Sequence, residues 1–138
     1  MRKIYFAGSI RGGRGRRAIY HEIILILKSH GTVLTEHVGD DGLTPLGEEV
    51  LSDKEIHDRD MEWLTSSDVI VAEVTVPSLG VGYEIAKAID LGKQVLCLYC
   101  ADPGSKLSAM ISGCPDMEVR EYRTIGDVKS ILAGYFSR

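Results

Sequence analysis

Short apolar runs alternate along this chain with longer stretches in which apolar residues recur every three or four positions. The two periods mark strands and helices respectively. They predict a strand over 3–7, a helix over about 14–30 and a second strand over 32–36. A helix over about 46–65 follows, then the continuous run Val69-Ile70-Val71-Ala72-Glu73-Val74, whose length and apolarity suit a central parallel strand. Beyond it come a helix over 81–92, a strand over 94–99, a short helix over 105–112, a strand from Glu118 to Tyr122 and a last helix over 126–136. Strict alternation of strand and helix predicts an α/β fold. It is a Rossmann-like, doubly wound parallel sheet of five strands in the flavodoxin-like order, with right-handed crossovers.

Composition narrows the picture. With 138 residues the chain is expected to form a single domain, spanning 1–138. Apolar residues make up 44% of it, yet no run is long enough to cross a bilayer, so no membrane partner is expected. The chain enters its first strand almost at once, without a charged-then-apolar leader, and a cytoplasmic or nuclear setting is the expectation. A net charge of −4 counts against a sequence-independent grip on duplex nucleic acid. Positive charge is nevertheless concentrated: Arg11, Arg14, Arg16 and Arg17 cluster after the first strand, a patch suited to a small anion such as phosphate. Cys97, Cys100 and Cys114 have no metal-ligand spacing, so neither a metal nor a disulfide is assigned, and no cofactor is expected.

Candidate chemistry gathers at the carboxyl ends of the strands, where open α/β sheets bind ligands. Gly8-Ser9-Ile10-Arg11-Gly12-Gly13-Arg14 joins the first strand to the first helix. Its glycines permit close backbone approach and the helix start adds N–H donors, an anion cradle unlike either a Walker A loop or a dinucleotide fingerprint. Pro77-Ser78-Leu79-Gly80-Val81-Gly82-Tyr83-Glu84 carries the central strand into a helix and places Glu84 in its first turn, where the macrodipole favours the ionised form. Ile56, Asp60 and Leu64 recur every four residues, so Asp60 shares an apolar helix face and is expected to bind a proton more readily. Two carboxyl groups in opposite protonation states are suited to cleaving a glycosidic bond, one attacking the anomeric carbon and the other protonating the leaving group. Tyr5 lies close enough in sequence to the cradle to orient Glu84, and His37 follows the second strand where it could meet a base or sugar. His21, His30 and His57 show no ligand spacing and receive no role. Residues 39–45 form a loop expected over the crevice.

These motifs, with Thr35-Glu36-His37, Asp60-Met61-Glu62-Trp63-Leu64 and Leu107-Ser108-Ala109-Met110-Ile111, stand in an order that resembles the 2'-deoxynucleoside 5'-phosphate N-hydrolase family. That family is a branch of the nucleoside 2-deoxyribosyltransferase superfamily, and the resemblance spans nearly the whole chain. It implies hydrolysis of 2'-deoxynucleoside 5'-monophosphates to free base and 2-deoxyribose 5-phosphate, with no cofactor. Glu84 would be the nucleophile that forms a covalent intermediate, Asp60 would assist the leaving base and water, and Tyr5 would support the nucleophile. Ser9, Arg11, Gly12, Gly13 and Ser78 match the family's phosphate-binding positions, and Gly8, Ile10, Arg14, His37, Gly80, Ser108, Ala109 and Met110 complete the candidate substrate-binding set. Ser108 would reach the neighbouring site of a homodimer. Two other activities fit the same residues: a deoxyribosyltransferase, in which a second base captures the intermediate, and a nucleotide sensor without turnover.

Overall fold

The computed structural model describes residues 1–10, 16–35, 51–101 and 105–138. Five parallel strands, β1 (Lys3–Ala7), β2 (Thr32–Val33), β3 (Val69–Glu73), β4 (Gln94–Cys100) and β5 (Glu118–Tyr122), pair in the order β2-β1-β3-β4-β5. This is the flavodoxin-like order that the strand–helix alternation predicts. The helices are α1 (Arg17–Lys28), α2 (Asp53–Ser66), α3 (Leu79–Asp90), α4 (Ala109–Ser112) and α5 (Ile125–Phe136). Among the described residues no helix is long and apolar enough to cross a membrane.

Strand parity decides which side chains meet which helices, because successive residues of a strand point to opposite faces. Ile4 and Phe6, Val69 and Val71, Leu96 and Leu98 pack with Tyr20, Ile23 and Leu27 of α1 and Val128 and Leu132 of α5. Tyr5 and Ala7, Ile70 and Ala72, Val95, Cys97 and Tyr99 pack with Leu64 of α2 and Val81, Ile85 and Ala88 of α3. Each fully buried large apolar side chain stabilises by about 1.5–3 kcal/mol, and a one-residue slip would reverse every face, so the register is strongly held.

Element ends depart from the periodicity where side chains bond the backbone. The first helix, expected from about 14, runs from Arg17 to Lys28, although residues 11–15 lie outside the described part. Strand β2 stops at Val33, short of the expected 36. The Thr35 hydroxyl bridges the edge of β1 instead, accepting from Phe6 N and donating to Phe6 O, each at 2.7 Å. Helix α2, expected from about 46, starts at Asp53, where Ser52 and Glu55 form a reciprocal capping box, although residues 46–50 lie outside the described part. Helix α3 starts two residues earlier than expected: Ser78 Oγ caps it by accepting from Val81 N at 3.2 Å. It ends at Asp90, where Gly92 (φ +73°) takes the left-handed conformation and Lys93 N and Gly92 N bond Ala88 O and Ile89 O. Helix α4 is only four residues long, since Ser108 caps it through Met110 N.

The chain leaves β1 over the ring of Tyr20, whose hydroxyl accepts from Ser9 N at 3.1 Å. A Cβ at Gly8 would stand 3.0 Å from Tyr20 Cε2 and 3.2 Å from Phe6 Cε2. Gly8→Ala therefore overpacks this corner and costs about 1–3 kcal/mol in urea unfolding. A variant as stable as the parent would show that the rings yield freely.

Candidate active site

Parity sends Tyr5 toward α2 and α3, and there its hydroxyl donates to Glu84 Oε2. Glu84 lies in the second turn of α3, six residues after the cap Ser78, rather than in the first turn as its motif suggested. The macrodipole fades within the first turn, and burial takes over. Desolvation pushes the Glu84 carboxyl up to about 7, opposed by the Tyr5 hydrogen bond and reinforced by the nearby negative Asp60. The expectation of a helix start favouring its ionised form is thus corrected. Tyr5 itself is driven far above its ordinary range by burial, then by Glu84 and Asp60, so it remains a neutral donor.

Asp60 lies on α2 across from α3, and its partner is positive. Arg59 Nε and Nη2 donate to Asp60 Oδ1 at 3.0 and 2.9 Å, while the guanidinium sits 4.6 Å from the Trp63 ring centroid. The two carboxyl groups face different surroundings. The burdened, proton-attracting group is Glu84, and the arginine is on Asp60.

Gly8, Ile10, Asp60, Ser78, Gly80 and Glu84, all singled out from sequence, line one cavity of about 640 Å³ between α2 and α3. Tyr5 supports it from beneath. Ser9 is buried next to it, and its Oγ has no hydrogen-bond partner among the described residues. Ser108 and Met110 line a second, largely apolar cavity of about 650 Å³, which shares Pro77, Ser78, Leu79 and Val81 with the first. Ala109 begins α4 beside them, exposed. Within one chain, then, 108–110 border the other side of the α3 start rather than Glu84's cavity. Arg11, Gly12, Gly13, Arg14 and His37 lie outside the described residues, as does the whole of the loop expected over the crevice.

One cavity-lining pair was missed. His57 Nε2 lies 2.9 Å from Tyr83 Oη, joining α2 to α3 at the cavity rim, and both residues line it. His57 stands three positions before Asp60, a spacing that places them on one helix face and could have flagged it. Among the described residues no His, Cys, Asp and Glu group is placed to hold a metal ion. Cys97 is buried in β4, its thiol pushed up to about 12 by desolvation, as suits a small core residue.

An open parallel α/β sheet with a phenol-supported glutamate and a second carboxylate at the carboxyl ends of its strands defines a class of small-molecule enzyme sites. The sequence profile of the nucleoside 2-deoxyribosyltransferase family matches residues 4–119, and the chain belongs to that family. It is 53% identical over 136 residues to 5-hydroxymethyl-dUMP N-hydrolase of Danio rerio, covering 96% of this chain and 94% of that protein. The human 5-hydroxymethyl-dUMP N-hydrolase is 49% identical over 137 residues, covering 96% and 78%. Among solved structures, a CMP N-glycosidase of Clostridium botulinum superposes with a TM-score of 0.66 at 16% identity over 95% of this chain and 98% of that one, a likeness of fold.

Because the folded Glu84 carboxyl sits near 7 and the unfolded one near 4.5, the native state holds the extra proton between these values, and stability falls as pH rises through that window. Glu84→Gln abolishes this dependence. Its stability relative to the parent, followed by urea unfolding, should climb from pH 4.5 to 7 and level off above. A constant difference across the window would mean that the carboxyl is not desolvated.

Proposed function

We propose that this protein hydrolyses the N-glycosidic bond of 2'-deoxynucleoside 5'-monophosphates, releasing the base and 2-deoxyribose 5-phosphate. The observation that carries the proposal is the Tyr5–Glu84 contact beside Asp60 in one cavity of a nucleoside 2-deoxyribosyltransferase family member. Relatives about half identical along nearly the whole chain are named N-hydrolases of a deoxynucleotide, which favours water over a second base as the acceptor.

Glu84, ionised, attacks C1′. The C1′–N bond breaks, its electron pair leaves with the base, and Asp60 supplies the proton the base takes up. Water then attacks C1′ of the glycosyl-Glu84 ester, giving a proton back to Asp60 and freeing the glutamate, so the cycle closes. Neighbouring carboxylates disfavour being ionised together, and the charge of Asp60 raises Glu84 accordingly. Positive charge developing at C1′ next to Glu84 favours the proton on Asp60. Tyr5 steadies the glutamate in its ionised form. Ser9 with its unpartnered hydroxyl, the capped start of α3 at Ser78 and Gly80, and the arginine-rich connection after β1 form the phosphate end. Binding energy from that phosphate, remote from C1′, is spent at the scissile bond, so nucleosides are poor substrates.

The second cavity supports a homodimer reading: Leu79 and Met110 are 96% and 82% exposed beside Ser108. A second copy seated there would bring 108–110 to its neighbour's phosphate end.

The purified protein is to be incubated with deoxynucleoside 5'-monophosphates, 5-hydroxymethyl-dUMP included, and with nucleosides and ribonucleotides, following base and sugar phosphate by chromatography. Base release from the deoxynucleotides alone is expected, lost by several orders of magnitude in Glu84→Ala. Exchange into an added free base would instead make it a transferase, and binding without release a sensor. Tyr5→Phe removes a hydrogen bond to a charged group, worth about 1.5–3 kcal/mol, so the acid limb of kcat/KM should move up by about one to two pH units. An unmoved limb would dissociate Tyr5 from the nucleophile. Ser108→Ala should weaken nucleotide binding, and sedimentation should find a dimer. A fully active monomer would refute the shared site.

A further inference from the structure

The cavity that holds Glu84 and Asp60 extends in a definite direction. On α2 its lining runs from Asp60 through His57 to Asp53, toward the start of the helix. Toward the other end it stops at Met61, and the next turn-facing residue, Leu64, is completely buried in the core. Ser78 and Gly80, the proposed phosphate end, stand at the start of α3 instead. With C1′ at Glu84 and the base taking its proton from Asp60, the base lies against α2 and its far edge extends toward His57. Three residues of helix place His57 about 4.5 Å along the axis from Asp60.

At that edge the cavity presents two polar side chains that bond cleavage does not use. Tyr83 is 44% exposed and the His57 side chain 51%, and both line the cavity. His57 Nε2 stands 2.9 Å from Tyr83 Oη, and Lys87 Nζ lies 5.7 Å from the Tyr83 ring centroid. The direction of the His57–Tyr83 hydrogen bond follows from a third residue. His57 Nδ1 is 3.0 Å from Asp58 Oδ1, and Asp58 is held below the usual carboxylate range, first by Lys54 and then by His57. An ionised carboxylate only accepts, so Nδ1 carries the proton. In the neutral imidazole Nε2 is then an acceptor, and the Tyr83 hydroxyl donates its hydrogen to it. The phenol oxygen offers the cavity its lone pairs. Such a group matches a donor and leaves a methyl or a carbonyl unmatched.

We propose that Tyr83, oriented by His57, is a specificity-determining residue for the base: its hydroxyl oxygen accepts a hydrogen bond from an exocyclic amino or hydroxyl group. The inference rests on the proposed cleavage at C1′ and adds to it the chemistry of the preferred base. Tyr83 touches the base and not the scissile bond, whereas His57 acts through Tyr83 and is a positioning residue.

The test uses nucleotide pairs that differ in that donor alone: dAMP against the 5'-monophosphate of purine 2'-deoxyriboside, and 5-hydroxymethyl-dUMP against dTMP. Calorimetry reads Kd, and chromatography of released base reads KM and kcat, for the parent, Tyr83→Phe, His57→Ala and His57→Gln. Both residues are half-exposed, so no substitution empties the core. In the parent the donor-bearing member of at least one pair should bind about three- to tenfold more tightly. Tyr83→Phe should abolish that preference, with the Kd of the donor-free member and kcat held within about twofold. His57→Ala should shrink it, and His57→Gln, whose amide oxygen again accepts from the phenol, should restore most of it. A parent indifferent to the donor overturns the inference, as does a preference that survives Tyr83→Phe. Equal losses on both members of a pair would make the contact a structural link between α2 and α3 and overturn it too. A parent that binds nucleotides but releases no base defeats the proposed hydrolysis, while the Kd ratios still decide this inference.

Discussion

The hydrogen bond from Tyr5 to Glu84 joins the centre of the sheet to the helix that carries the cavity's buried carboxyl. It exists because β1 pairs with β3 in a register that sends Tyr5 toward α3, and because Ser78 starts that helix where Glu84 falls one turn above the cap. Shift the strand by one residue and the phenol would enter the other core, among Ile23 and Leu132. Start the helix at 81 and Glu84 would sit on the dipole's charged end, an ionised surface acid rather than a buried one pushed up to about 7. Burial raises the cost of its charge, the phenol lowers it, and the balance lets the group change state near neutrality.

The sheet divides two tasks between its faces. Toward α2 and α3 lie Tyr5, Asp60 and Glu84, the last a carboxyl that burial brings near neutrality. Toward α1 and α5 lies Glu73, which accepts from Thr75 and Tyr122 and pairs with the Arg16 charge. Both sets sit at the carboxyl ends of the strands, where the order β2-β1-β3 opens a crevice on either side of the first strand's exit. A group that titrates near neutrality suits bond making and breaking, whereas a buried network of this kind ties strand ends together.

Periodicity made the five strands, their order and the two carboxyl groups that share the cavity legible, since buried parallel strands and amphipathic helices leave strong repeats. It misjudged ends, where single side chains outweigh the repeat. Ser52 with Glu55 caps α2, Ser78 advances α3, Ser108 shortens α4, and the Thr35 hydroxyl takes over from β2. The capping box at Ser52 was readable as Ser-x-x-Glu. Protonation was not readable: whether Glu84 is desolvated and whether Asp60 meets Arg59 depend on packing between helices distant in sequence. Glu73 and His57 were overlooked for the same reason, one hidden inside an apolar run and the other significant only through Tyr83.

The most direct test is to titrate the Glu84 carboxyl itself by carbon-13 NMR of protein labelled at the glutamate side-chain carboxyl, assigning its signal as the one missing in Glu84→Gln. A midpoint close to 7 that rises further in Tyr5→Phe is the result this account predicts. A midpoint near the ordinary 4.5, indifferent to Tyr5, would contradict it, leaving Glu84 a solvated acid without the environment that the proposed chemistry needs.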